Sequence, residues 1–283
     1  MNPLTGTATS AETREDFTRL AARGYTQLRH IFVQLPDTEP KRASTVGGMV
    51  HKRKHRALLL YLLLLTSWPW LRERRDPLEA SVWIRALNAD DVPDSSGATT
   101  WSASTLSRAW GDLRTMGLVT TDREGRLLRV TPRREDGGAD YEVPGGRRDR
   151  WNAYFALPDA FWKDGWFAKL SLPAVAMLLV VAKETNHKDE VWLTYDNCEE
   201  WYGIRPKSAQ KGITELKAKG LLHLRAEPIK APLSPTGKTT RSWYSLTGDF
   251  GHTARAAVQK RSAKETVKRR ARLGSPHREE EKA

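Results

Sequence analysis

Two stretches of this chain carry one pattern in one register. Ser104 to Val119 reads STLSRAWGDLRTMGLV, and Lys207 to Leu222, 103 positions later, reads KSAQKGITELKAKGLL. In the first, Leu106, Ala109, Trp110 and Leu113 recur at three- and four-residue steps and so share one face of a helix. Gly117 follows the last turn, where the left-handed conformation closes a helix cheaply. Leu118 and Val119 open an extended segment, Asp122 to Gly125 supplies a turn, and Leu127 to Val130 returns. In the second copy Lys211 stands for Arg108 and Ile213 for Trp110. Glu215-Leu216-Lys217 stands for Asp112-Leu113-Arg114, and Gly220-Leu221-Leu222 for Gly117-Leu118-Val119. Any fold for this chain must hold two amphipathic helices, each stopped by glycine and followed by a hairpin.

The rest of the chain offers a first and a second helix ahead of each copy. His55 to Ser67 is apolar enough for a fully buried helix, predicted to end at Trp68-Pro69-Trp70. Its run from Ala57 to Leu65 is far shorter than the ~20 residues that span a bilayer. Leu78 to Leu87 follows, then a connection rich in Asp, Ser and Gly, with Ser102 or Ser104 as cap. In the second half, Ser171-Leu172-Pro173 opens a helix over Ala174 to Lys183, and Thr194 to Tyr202 forms the next. Asp196 and Glu199 have the spacing of an acidic capping box. Gly203 to Pro206 makes the turn, and the second hairpin runs from His223 to Leu246 with a tip from Lys230 to Arg241.

These elements divide the chain into residues 1–50, an N-terminal extension, partly helical (Ser10 to Arg23) or disordered; 51–133, a first domain; 134–150, a linker with glycines and balanced charge; 151–249, a second domain; and 250–283, a basic tail. Ala153 to Pro158 reads as a strand, and Phe161, Trp162, Trp166 and Phe167 either stack on nucleic-acid bases or, the favoured reading, cover the base of a domain. In the tail, Val258, Ala263, Val267 and Arg270 trace a weak helical stripe. The predicted class is α+β, mainly α, with small β-hairpins and flexible basic termini.

Charge narrows the partners. The net charge is +13, which favours a polyanion, above all nucleic acid. From Lys41 to Arg56 there are six Lys or Arg and no acid, either a solvated linker or a phosphate-contacting arm. The single cysteine, Cys198, rules out a disulfide framework and a cysteine zinc site. Its acidic neighbours oppose a thiolate, so a buried structural thiol is expected. His51 and His55 have a metal-binding spacing, but Lys52, Arg53 and Lys54 between them repel a cation. No phosphate-binding Gly-Lys loop, His-Glu-x-x-His motif or nickase histidine motif is present.

The helix, glycine stop and basic hairpin resemble the end of a winged helix-turn-helix, and Asp-Leu-Arg-x-x-Gly-Leu-Val is similar to the recognition helix of bacterial winged-helix regulators. Two such units in a basic chain, over residues 54–132 and 170–248, resemble tandem winged-helix replication initiators of plasmids and mobile elements. The resemblance implies two winged helix-turn-helix domains that bind double-stranded DNA without enzymatic activity, cofactor or metal. It implies DNA contacts from Thr105, Ser107, Arg108 and Arg114 with Arg123 and Arg126 on the first wing. From the second unit it implies Lys207, Ser208, Gln210, Lys211 and Lys217, with Lys238 and Arg241 on the wing. Arg suits guanine edges and Gln adenine, while Lys and Ser mostly meet phosphate. A replication role leads, a transcriptional regulator is the alternative, and a protein- or RNA-binding scaffold the third reading. The expected setting is the cytoplasm, on the nucleoid. A homodimer and the replication or transcription machinery are the other partners considered, and no membrane is.

Overall fold

The computed structural model describes residues 6–36, 44–93, 95, 100–146 and 149–273, with side chains to 268. The order helix–helix–helix–hairpin occurs twice. In the first unit it is α4 (His55–Leu71), α5 (Ala80–Leu87), α6 (Ala103–Thr115), β2 (Val119–Glu124) and β3 (Leu127–Pro132). In the second it is α9 (Leu172–Glu184), α10 (Tyr195–Tyr202), α11 (Pro206–Ala218), β6 (Leu222–Lys230) and β7 (Lys238–Leu246). A short strand β5 (Val191–Trp192) pairs with β7 and makes the second sheet three-stranded. The chain is thus mainly helical α+β with small antiparallel sheets. Among the described residues no helix is long and apolar enough to cross a membrane.

The apolar run on α4 is core: every residue from Ala57 to Leu65 is buried. Pro69 does not end this helix as expected; α4 continues to Leu71, and Arg72 N–H still reaches the Trp68 carbonyl at 3.2 Å. The bond lost at Pro69 falls in the last turn, where packing holds the backbone instead. Trp70 Nε1 donates to the Phe17 carbonyl at 3.1 Å, and the two rings meet edge to face. A second expectation fails at α10: its cap is Thr194, which accepts from Asn197 N–H at 3.1 Å, rather than Asp196. A hydroxyl one residue before the helix has the reach to its third N–H; a carboxylate already inside the first turn does not.

The N-terminal extension is built in. Helix α1 (Ser10–Ala21) opens with a capping box between Thr9 and Glu12 and buries Phe17 against Trp70 and Trp83. Strand β1 (Tyr25–Arg29) pairs antiparallel with β4 (Tyr154–Pro158), in register from Tyr25↔Pro158 to Arg29↔Tyr154. Helices α2 (His30–Val33) and α3 (Thr45–His51) follow, and Ser44 Oγ donates to the Tyr202 carbonyl of the second unit at 3.0 Å. After β4, α7 (Ala160–Lys163) and α8 (Trp166–Lys169) bury Phe161, Trp162 and Phe167, the expected aromatic base, with Trp166 half-buried.

Two segments, one read as a linker and the other as a basic tail, are held by buried charge. In the stretch read as a linker, Glu135 is fully buried. Its carboxylate takes Arg29 Nη1 at 2.7 Å and Arg29 N–H at 3.1 Å, while Tyr141 covers that guanidinium at 5.2 Å. Partnered this way, a buried charge is tolerated. The tail is helical over its described part: α12 (His252–Leu273) docks its first turns through buried Arg255. Arg255 Nη1 donates to the Ala182 carbonyl at 2.7 Å and Nη2 to the Thr185 carbonyl at 3.0 Å, closing the end of α9 where a cation suits the helix dipole. Burial lowers its pKa to about 10. The docked face is Arg255, Val258 and Ser262; Ala263 and Val267, on the expected stripe, are exposed, and Arg270 lies outside the described side chains. The expected disorder at residues 1–5 and beyond 273 also lies outside the described residues. The buried apolar side chains form one continuous cluster from Phe17 to Phe250, shared by both units.

Candidate nucleic-acid interface

Helices α6 and α11 have thirteen residues each and begin and end 103 positions apart, as the repeat requires. Their inward faces match: Leu106, Ala109, Trp110 and Leu113 are buried on α6, and Ala209, Gly212, Ile213 and Leu216 on α11. Both close in the same way. Leu118 N–H returns to the Leu113 carbonyl at 2.9 Å across Gly117 (φ 72°), and Leu221 N–H to the Leu216 carbonyl at 2.9 Å across Gly220 (φ 71°). The repeated acid also has one job in both places. Asp112 accepts from Lys54 Nζ at 2.9 Å, and Lys54 is the N-cap of α4. Glu215 accepts from Ser171 N–H at 2.8 Å and from its hydroxyl, and Ser171 is the N-cap of α9. Each acid fixes the third helix of its unit against the start of the first.

With those faces buried, the cations point outward. Ser107, Arg108, Arg114, Arg123 and Arg126 are exposed in the first unit, and Lys207, Gln210, Lys211, Lys217 and Lys238 in the second. Ser107, Arg114, Arg123 and Arg126 come together around a cleft of about 450 Å³ between α6 and the hairpin, floored by Trp83, Leu106 and Trp110. Arg129, on the same hairpin, is taken up by Glu124, whose carboxylate it holds below the usual range, and so adds no free charge.

Three expected contact residues are placed otherwise. Thr105 is spent inside its own helix cap: its hydroxyl accepts from Ser102 N–H at 2.7 Å and donates to the Ser102 carbonyl at 2.9 Å. Ser208 is half-buried in the first turn of α11. Arg241 is half-buried on β7, with its guanidinium over the Trp192 ring at 5.0 Å. It stiffens the sheet rather than reaching from the tip, because β5 supplies an aromatic partner that two residues of strand do not announce. Conversely, Arg53 and Arg56 open onto the flank of α6 beside Arg108, and the basic run before α4 was the only sequence sign of it.

Cys198 is buried, and desolvation pushes its thiol up to about 12, as a structural cysteine requires. His51 ends α3 whereas His55 begins α4, so their spacing does not place them on one helix. No protein-family model, curated protein or solved structure matches this chain.

Proposed function

We propose that this chain is a double-stranded DNA-binding protein made of two winged helix-turn-helix units, with α6 and α11 as recognition helices and the β2–β3 and β6–β7 hairpins as wings. One observation carries the reading. Two helices related by an internal repeat bury the same apolar face, are anchored by the same acid, and leave their cations outward in a chain of net charge +13. Helices so presented can enter major grooves while the hairpins meet backbone phosphates. The reading is non-enzymatic and sets the protein on the nucleoid in the cytoplasm.

Within that reading we assign the role of a replication initiator of a plasmid or mobile element. Mapping the DNA bound in cells tests it: one site beside a replication origin is the expected result, and a set of promoters instead makes the protein a transcriptional regulator. Binding itself is tested with Arg108→Ala and Lys211→Ala together. Both side chains are exposed, so the fold is kept and duplex affinity drops on the order of tenfold or more. Normal affinity in the double variant, or wild-type binding insensitive to salt, overturns the reading.

A further inference from the structure

On the flank of α6 away from the wing, a second cavity of about 210 Å³ opens between that helix and the α3–α4 junction. Arg53, Lys54 and Arg56 come from the junction, Thr105 and Arg108 from α6, and Asp112 is the single carboxylate in its wall. Lys54 already engages that carboxylate. His55 adds no charge at neutral pH, since burial and the neighbouring Arg56 hold its imidazole down to about 4. Arg53 and Arg108 thus bring guanidinium charge to the cavity, and among the described residues neither side chain has a hydrogen-bond or ion-pair partner.

The backbone at Arg53 points the same way. Helix α3 ends with Arg53 N–H on the Val50 carbonyl at 3.2 Å and Lys54 N–H on the Met49 carbonyl at 2.9 Å, with Arg53 left-handed at φ 55°. This is the closure that α6 and α11 make with glycine. Of the described residues only Ala22 is the other non-glycine with positive φ. Here the chain accepts a strained residue and gains no internal contact from it: among the described residues the exposed Arg53 side chain makes no hydrogen bond or ion pair. A strained residue whose side chain makes no internal contact points to a role for that side chain outside the fold.

We propose that this cavity is a phosphate seat, occupied by a backbone phosphate of the DNA that α6 reads. The proposal rests on the DNA-binding reading above. It adds a contact made by the α3–α4 junction, on the opposite side of α6 from the wing, so that the helix is held at the backbone from both flanks.

Arg53→Gly separates the seat from the fold, because it removes the cation and puts the favoured residue at the left-handed position. The thermal midpoint is expected to hold or rise. In duplex titrations across a salt series, the slope of log affinity against log salt falls by about 0.9, one phosphate, and affinity drops several-fold alike on all sequences. Arg19→Gln, a cation removed from the outer face of α1, leaves the slope unchanged. A wild-type slope and affinity in Arg53→Gly overturn the DNA assignment of the seat. Titration of inorganic phosphate without DNA then settles the source: loss of phosphate binding in Arg53→Gly alone assigns the cavity to a free phosphate, and no phosphate binding in either protein overturns the seat altogether. Absence of salt-dependent duplex binding in the wild type is the separate failure of the DNA-binding reading.

Discussion

The two helix–hairpin units differ most where their third helix meets their first. In the first unit α6 carries Ala109 at the contact, and the anchoring acid takes a lysine ammonium at a partly open surface. In the second, α11 carries Gly212, and a Cβ there would come within 2.4 Å of the Pro173 carbonyl and 2.8 Å of Met177 Cγ. Its acid takes the backbone N–H and hydroxyl of Ser171. One architecture is therefore built twice at two spacings: a loose joint in which side chains mediate, and a tight one in which backbones nearly touch. On the outer faces α11 has Lys211 and Lys217 where α6 has Arg108 and Arg114, so both units turn cations outward at the same two positions.

The largest expected effect sits at the start of the two first helices. The first residue of α4 is His55, with a folded-state value of about 4, whereas α9 begins with Leu172. The unfolded chain binds a proton near 6.5 that the fold refuses, so the stability is present above that value and is lost as pH falls from about 6.5 to about 4. Up to about 3 kcal/mol is at stake at this histidine. His30, also held down to about 4 mainly by burial, adds loss in the same window. Urea melts across this range are expected to show the loss, and His55→Leu to keep only the part that His30 causes. An unchanged profile in that variant would show that His55 is solvated and that the two starts are equivalent.

Gly212→Ala tests the tight joint. Alanine normally strengthens a helix by about 1 kcal/mol over glycine. At this contact the crowding reverses the sign, and a net loss of about 2 kcal/mol is expected in denaturant titrations. Ala109→Gly, the converse change at the loose joint, costs about 1 kcal/mol through helix propensity. A stabilised Gly212→Ala protein would mean that α11 can back away and that the two joints do not differ.

The anchoring acids give a contrast of similar size. Replacing Glu215 by Ala removes two hydrogen bonds from a half-buried carboxylate and is expected to cost about 2 kcal/mol. Asp112→Ala breaks an ion pair whose partners are 34% and 27% exposed, and under about 1 kcal/mol is expected. Equal losses in thermal melts would erase the difference drawn between the joints.

What the sequence made legible is local. The limits of α6, α11, the first hairpin and β4 follow from apolar periodicity and from glycines at helix ends, and they emerged within one or two residues; α4 runs four residues past its expected end, and β7 begins at Lys238, inside the expected tip. The outward position of most of the proposed contacts followed from the same periodicity, since knowing the buried face fixes the other. What stayed hidden depends on partners far along the chain. Strand β1 contains Thr, Gln and Arg, and nothing local marks Arg29 as a core residue; it is one only because Glu135 is there to receive it. The same holds for Arg255 on α12, whose acceptors are carbonyls about seventy residues earlier. Strand β5 is two residues long and exists through its pairing with β7. The displaced contact Arg241 belongs to this second kind, held over the distant Trp192, whereas Thr105 is taken up locally by Ser102, three residues before it.

The pairing of β1 with β4 also bears on how such a chain is made. Synthesis proceeds from the N-terminus, so β1 and Arg29 leave the ribosome well over a hundred residues before the strand and close after a long wait for their carboxylate. Until Glu135 and β4 are made, Arg29 and β1 lack the partners that hold them in the finished fold. The first helix–hairpin unit, though complete in sequence by Pro132, has no finished seat until β4 arrives. A chain cut between the two units therefore lacks the strand with which β1 pairs, so the halves cannot be parted without opening that sheet.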